Sequence, residues 1–168
     1  MDDQPDLEGI ARAVIDANLY IVLGTASENG HPWVTPVYYS AGGYTDFYWV
    51  SSPEAMHSRN VAARPQVSIV IYNSQAPIGT AQAVYMSGVA QEVTGTEVAS
   101  GVDIFSRGSL ARGAGEWTPE KVQPPAALRL YRATASQQSI LCPRKYPEPC
   151  LIHGRTGDHR VPVKLQGG

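Results

Sequence analysis

Three short runs of this chain are apolar on both of their alternating faces, and they restrict its fold more than any other feature. They cover residues 33–39 (WVTPVYY), 46–51 (DFYWVS) and 67–72 (VSIVIY). Aromatic and β-branched residues dominate each run, so each reads as a strand. Trp33, Val37 and Tyr39 fall on one side of the first run, and Val34 and Tyr38 on the other. A sheet with one wet face would alternate apolar with polar residues. Here one face must fill a small barrel, while the other must be covered by a helix, a second subunit or a flat ligand. Pro36, inside the first run, cannot donate to a ladder, which places it on an edge, at a bulge or at a bend.

The rest of the chain supplies turns and short helices around these strands. Leu7, Ile10, Ala11, Val14 and Ile15 recur at helical spacing, predicting an amphipathic helix over 6–17 that covers one open end of the barrel. Residues 19–25 read as a strand, and SENG (27–30) as a turn with Asn-Gly at its tip. After Ser51 the residue types predict a short helix, with Ser52 as N-cap, Pro53 at the first helical position and an end near Ala63. Pro65 sets that end, because it pushes Arg64 out of the α region. Residues 83–93 form another expected strand, with Gly88 at a bulge or barrel corner. Thr94-x-x-Glu97 reads as a capping box opening a helix that runs to about Phe105. From 106 to 125 the chain reads as a loop, with one helical turn at Thr118-Pro119. Arg107, Arg112 and Trp117 are placed there at a substrate mouth. Strands are expected at 127–133, 139–141 and, as an edge, 160–165. With 168 residues, 43% hydrophobic and 17% charged, the chain suits one globular domain over 1–168. Its core is expected over about 7–142, with 143–168 as a tail.

Composition excludes several function classes. A net charge of −2 gives no electrostatic reason for nucleic acid or an anionic membrane as partner. The longest apolar runs fall far short of a spanning helix. The start, MDDQPDLEG, is acidic where a secretory signal would be basic and then apolar, so a cytoplasmic protein is expected. Cys142 and Cys150 are compatible with a disulfide, and with His153 and His159 they offer four zinc-type donors. The spacing lacks a C-x₂₋₄-C knuckle, and a cytoplasmic chain keeps its thiols reduced, so free thiols and no metal site are expected. No G-x-S-x-G, H-E-x-x-H or P-loop occurs. A pocket without nucleophile or acid–base pair suits a bound flavin, which carries its own redox chemistry. One stretch offers an anion site: the free N–H groups of a helix opening directly after a strand, with the Ser51 hydroxyl and His57 beside them.

A strand ending FYWVSS, a short helix carrying HSRN, and then ARPQVSIVIY follow one another in that order. This series resembles the pyridoxamine phosphate oxidase-like family of flavin-binding split barrels, over about 17–93 with a looser continuation at 128–133. The resemblance implies a mainly β fold, a split β-barrel of the FMN-binding type with an N-terminal helix and short peripheral helices. It implies FMN, or a deazaflavin, in a cleft of a homodimer, and hydride transfer to or from an unidentified small molecule. The family's cofactor-contacting positions fall on Thr35, Pro36, Val37, Tyr38, Val50, Ser51 and His57. Trp49, Tyr72 and Trp117 are candidates for lining the ring face. Three departures weaken the phosphate clamp: Thr35 and Met56 stand where the family has arginine, and Val50 where it has tyrosine. The oxidase itself carries a lysine where Ser40 stands and a C-terminal Arg-x-His, whose nearest echo here is Asp158-His159-Arg160. The expected activity is therefore that of a related flavin-dependent oxidoreductase. The alternatives are a deazaflavin-dependent reductase, or a non-catalytic flavin, haem or small-ligand binding protein.

Overall fold

The computed structural model describes residues 5–144, 147–150 and 152–165; the first four residues of the acidic start and parts of the expected tail lie outside them. Its strands are β1 (Tyr20–Ala26), β2 (Pro32–Tyr38), β3 (Ser40–Gly42), β4 (Asp46–Ser51), β5 (Gln66–Tyr72), β6 (Ala83–Glu92), β7 (Arg129–Leu141) and β8 (Arg160–Pro162). Three α-helices accompany them, α1 (Leu7–Ala17), α2 (Met56–Ala63) and α3 (Glu97–Ala111), with a 3-10 turn over Pro119–Lys121 where Thr118-Pro119 predicted a helical turn. All pairings are antiparallel, in the order β2-β1-β5-β6-β7-β4-β3, with β8 added to β7. The sheet curls on itself, giving the mainly β split barrel expected from the sequence.

Alternation along the strands fills the interior. Ile21, Leu23, Val37, Phe47, Trp49, Val67, Ile69, Ile71, Val84 and Met86 form one buried cluster. Helix α1, capped by the Asp6 carboxylate at the Gly9 N–H, adds Ala11 and Ile15 to that cluster, as the end cover its periodicity predicts. The Tyr39 hydroxyl donates to the Ile15 carbonyl and ties the helix to the barrel. Pro36 sits on β2, an edge of the sheet, where its missing N–H leaves no gap in the ladder.

The two-sided apolarity has two different answers. On β4, Tyr48 and Val50 leave the barrel and pack with Leu130 against Val98, Val102 and Phe105 of α3. At the end of β2 Tyr38 packs on Phe105 of α3, but the outer sides of the rest of β2 and of β5 have no such cover among the described residues: Val34 is 63% and Tyr72 44% exposed.

Several boundaries differ from the sequence expectation: β3 is an unexpected short strand and β8 ends at Pro162 rather than 165. Helix α3 starts at Glu97 rather than at the Thr94 box, and the Glu97 carboxylate instead pairs with Arg132 at 3.0 Å. Its other end runs to Ala111, through residues read as loop. Gly108 disguises that continuation, since it is a poor helix former. It is required there because a Cβ would lie 2.2 Å from Ser40 Oγ, where α3 crosses β3. The segments 127–133 and 139–141 are one continuous strand, β7.

Candidate functional site at the junction of β4 and α2

Ser51 closes β4, and the next four residues form a turn rather than the first turn of a helix. The Ser52 hydroxyl accepts from the Glu54 N–H at 3.1 Å, and the Ser52 carbonyl accepts from the Ala55 N–H at 3.1 Å. Helix α2 therefore begins at Met56, with Ala55 as a cap that offers no side-chain bond. This corrects the expectation that Ser52 and Pro53 open the helix. The N–H groups of Glu54 and Ala55 are spent within the turn, so they do not face an anion. The physical reason is local competition: a serine hydroxyl two residues before an N–H satisfies it in a turn as readily as in a cap. Glu54 also pairs with Arg59, which removes that cation from the site.

Ser51 and His57 do come together. His57 Nε2 and Ser51 Oγ share a hydrogen bond of 2.8 Å, and His57 is only 8% exposed. Burial holds the imidazole below its ordinary pKa, so it is neutral near pH 7. Next to it, Asn60 is buried and donates to Thr25 Oγ1 at 3.0 Å, which locks α2 against β1.

A stability consequence follows from the depressed pKa. The unfolded chain binds a proton at His57 more readily than the native one, so stability rises with pH across that window. The contribution is complete above the ordinary histidine pKa of about 6.5 and is lost as pH falls from there toward the lowered native value. Comparing unfolding of wild type and His57→Gln between neutral and mildly acid pH should show a steeper acid loss in the wild type. Parallel curves would remove His57 from the acid response.

Four of the seven expected cofactor positions fall into two groups, and Thr35, Pro36 and Val37 join neither. On β2, Thr35 pairs with Leu23, Pro36 with Val22, Val37 with Ile21 and Tyr38 with Tyr20. Alternation puts Thr35 and Val37 on the barrel side, where the Val37 side chain is part of the core. Pro36 and Tyr38 face outward. On β4 the same alternation separates Ser51 from Val50. Val50 and Tyr38 share a hollow of about 450 Å³, walled also by Phe105, Trp117, Lys121 and Leu128. Phe105 stands edge-on to both Tyr38 and Trp117, with ring centroids 5.8 and 5.5 Å apart. Ser51 and His57 form the second group, off that hollow's wall.

The aromatic candidates separate in the same way. Trp117 lines the hollow, whereas Trp49 is 0% exposed in the barrel core and Tyr72 stands exposed at the end of β5. Arg112 donates to the Tyr39 carbonyl at 2.6 Å and lies over the Tyr38 and Tyr39 rings, and Arg107 pairs with Asp103. Arg112 thus ties the end of α3 to the barrel, while Arg107 is engaged on the exposed face of α3. Phe105 and Lys121 are hollow residues that the sequence reading did not single out. The spacing Val98, Val102, Phe105, Ser109 carried the signal, had it been followed through Gly108. A larger groove of about 840 Å³ lies between the outer face of β5–β7 and β8, lined by Ser68, Tyr85, Ser87, Gln137, Arg160 and Lys164 among others. None of the expected positions reaches it.

Several comparisons bear on these features. No curated protein matches the chain by sequence. Among solved structures, the haem binding protein of Mycobacterium smegmatis superposes with a TM-score of 0.68 at 19% identity, over 96% of this chain. This chain spans 60% of that protein's length. A candidate 5-nitroimidazole antibiotic resistance protein of Bacteroides thetaiotaomicron gives 0.65 at 14% identity, over 81% of this chain and 84% of that one. The haem storage protein HutZ of Vibrio cholerae gives 0.62 at 19% identity, over 78% and 91%. At these identities the likeness is one of fold. The family model for pyridoxamine 5'-phosphate oxidase matches residues 7–141, from the first residue of α1 to the last of β7, and the chain belongs to that family.

Proposed function

We propose that this protein is a flavin-dependent oxidoreductase that binds FMN and works as a homodimer on a small-molecule substrate. The observation that carries the reading is the bonded pair Ser51–His57 at the end of β4, the strand whose other face supplies Val50 to an aromatic hollow. The residues fit a flavin unevenly. Tyr38, Val50 and Trp117 give apolar walls suited to a ring system. The phosphate end has one hydroxyl and one neutral imidazole, with Thr35 where the family carries arginine. Ser51 and His57 would hold the phosphate; a dianion there favours the protonated imidazole and so opposes the effect of burial. The bound flavin would supply the hydride chemistry, and the protein its binding and orientation. The uncovered apolar face that includes Val34, Pro36 and Tyr72 supports a second copy of the chain as its cover. Sedimentation at micromolar concentration should give a dimer; a monomer removes that part of the reading.

A second reading, a haem-binding protein without catalysis, rests on the same His57. A buried, neutral imidazole is a weak partner for a dianion but a competent axial ligand. Two of the similar folds belong to haem binding and haem storage proteins. Titration with FMN, riboflavin and hemin separates the two. For the flavin reading, His57→Ala should weaken FMN by about 10- to 100-fold, the loss of one charge-assisted hydrogen bond, and leave riboflavin unchanged. For the haem reading, FMN should not bind and the variant should abolish the hemin spectrum. Equal losses for FMN and riboflavin would place His57 at the ring or in the core, and failure of both flavins to bind would sink the first reading.

A further inference from the structure

Behind the barrel, the last described strand is joined to the sheet by residues that the flavin reading does not use. Cys142 follows directly on β7, and its N–H donates to the His159 carbonyl at 2.8 Å, one step beyond the β7–β8 register. Cys150 and His153 sit on a tight turn, where the Gly154 N–H donates to the Cys150 carbonyl and the His153 N–H to Cys150 Sγ at 3.3 Å. Both cysteines are unbridged and buried, at 3% and 2% exposure. The donor atoms of Cys142, Cys150, His153 and His159 all lie within 4.8 Å of one another.

We propose that these four residues form a tetrahedral structural site for a zinc-class divalent ion, which clamps the segment between β7 and β8. The distances between donors carry the assignment. Zn–S bonds of about 2.3 Å and Zn–N bonds of about 2.0–2.1 Å at tetrahedral angles put S and N about 3.5 Å apart and two N about 3.3 Å apart. In the structure, His153 Nδ1 lies 3.6 Å from Cys142 Sγ and 3.8 Å from Cys150 Sγ. His159 Nε2 lies 3.7 Å from Cys150 Sγ and 3.1 Å from His153 Nδ1. A second, independent feature is the orientation of His159. Its Nδ1 lies 3.1 Å from the Gly157 carbonyl, a bond only an N–H can donate, so Nε2 presents its lone pair to the cluster.

Charge is consistent with the burial of the two cysteines, while His153 is exposed and His159 half-buried on the solvent side. Two thiolates neutralise the dication, and the two thiol protons pass to solvent on binding. All four positions of the tetrahedron are filled by protein, so the site is closed and structural, with no place for a reacting water. Its mechanical effect is local. It would hold His159 and the start of β8 against the end of β7, beside the Arg160 and Lys164 that line the 840 Å³ groove.

The test uses the full chain, purified without chelators and under a phosphine reductant. Elemental analysis should find one zinc per chain. Exchange for cobalt should give the thiolate charge-transfer and strong d–d bands of a tetrahedral sulfur–nitrogen donor set. Cys150→Ser and His159→Ala should each lose the zinc, while His31→Ala, outside the cluster, should keep it. The cobalt spectrum of the unaltered chain reads the donor set directly, so a variant that fails to fold does not blunt the test. Absence of both zinc and the cobalt bands overturns the proposal. So does zinc retained in both ligand variants, or a Cys142–Cys150 disulfide in the reduced preparation.

Discussion

Trp49→Ala should destabilise the protein by about 3–5 kcal/mol, the range for deleting a large aromatic side chain from a packed core. For a chain of this size that corresponds to a fall in Tm of roughly 6–20 °C. Trp49 is fully buried, and its ring stacks on Tyr131 at 5.7 Å with 15° between planes. It stands among side chains from several strands, so the surroundings cannot close over the void without moving the barrel wall. The indole Nε1 is buried with no hydrogen-bond partner among the described residues, so Trp49→Phe loses no bond there and should cost much less. The same pair of variants separates core from cofactor site. In the folded fraction Trp49→Ala should leave flavin affinity unchanged, whereas Trp117→Ala, in the hollow, should weaken it with little loss of stability. Thermal unfolding and flavin titration of the two variants check this, and a reversal of the two effects would return Trp49 to the ring face.

Gly88→Ala should be nearly as damaging, although it adds one carbon. At this point β6 and β7 change register: Ser87 pairs with Gln137 and Gly88 with Ala135. A Cβ at Gly88 would lie 2.1 Å from the Thr134 carbonyl oxygen. That atom is backbone in the longest strand, so relief requires separating the two central strands. The expected cost is about 3 kcal/mol or more, at or above the upper end of ordinary overpacking. Gly24, also inside a strand, is the control. Its Cβ would meet the Ser68 carbonyl oxygen at 3.4 Å, and the alanine gains from reduced freedom of the unfolded chain. Gly24→Ala should therefore be close to neutral in denaturant unfolding. Similar losses at both positions would mean that the bulge is not the cause.

Much of the site's surroundings was legible in the chain. The alternation of 33–39, 46–51 and 67–72 marked strands needing cover on two sides, and Gly88 marked the bulge. His57 was drawn beside Ser51, and they share a bond. The phosphate cradle was read less well. A Ser-Pro pair after a strand fits a helix cap and a turn equally, so the residue types alone do not choose between them. Trp49 could not be told from a pocket residue, because an aromatic strand residue has the same sequence signature on either face of β4.

Local pattern thus determined most of the strands, the end-covering helix α1 and the family, but neither β3 nor the true extent of β8, because periodicity and turn chemistry act over a few residues. Long-range pairing decided the rest. Cys150-x-x-His153 is a knuckle spacing with histidine in the second place, but it is half a set of ligands. Cys142 and His159 join it only because β8 lies antiparallel on β7, a pairing set by burial of Val163 and Leu165 in the barrel core. Register between strands distant in sequence is an energy of packing, and no short window of residues contains it.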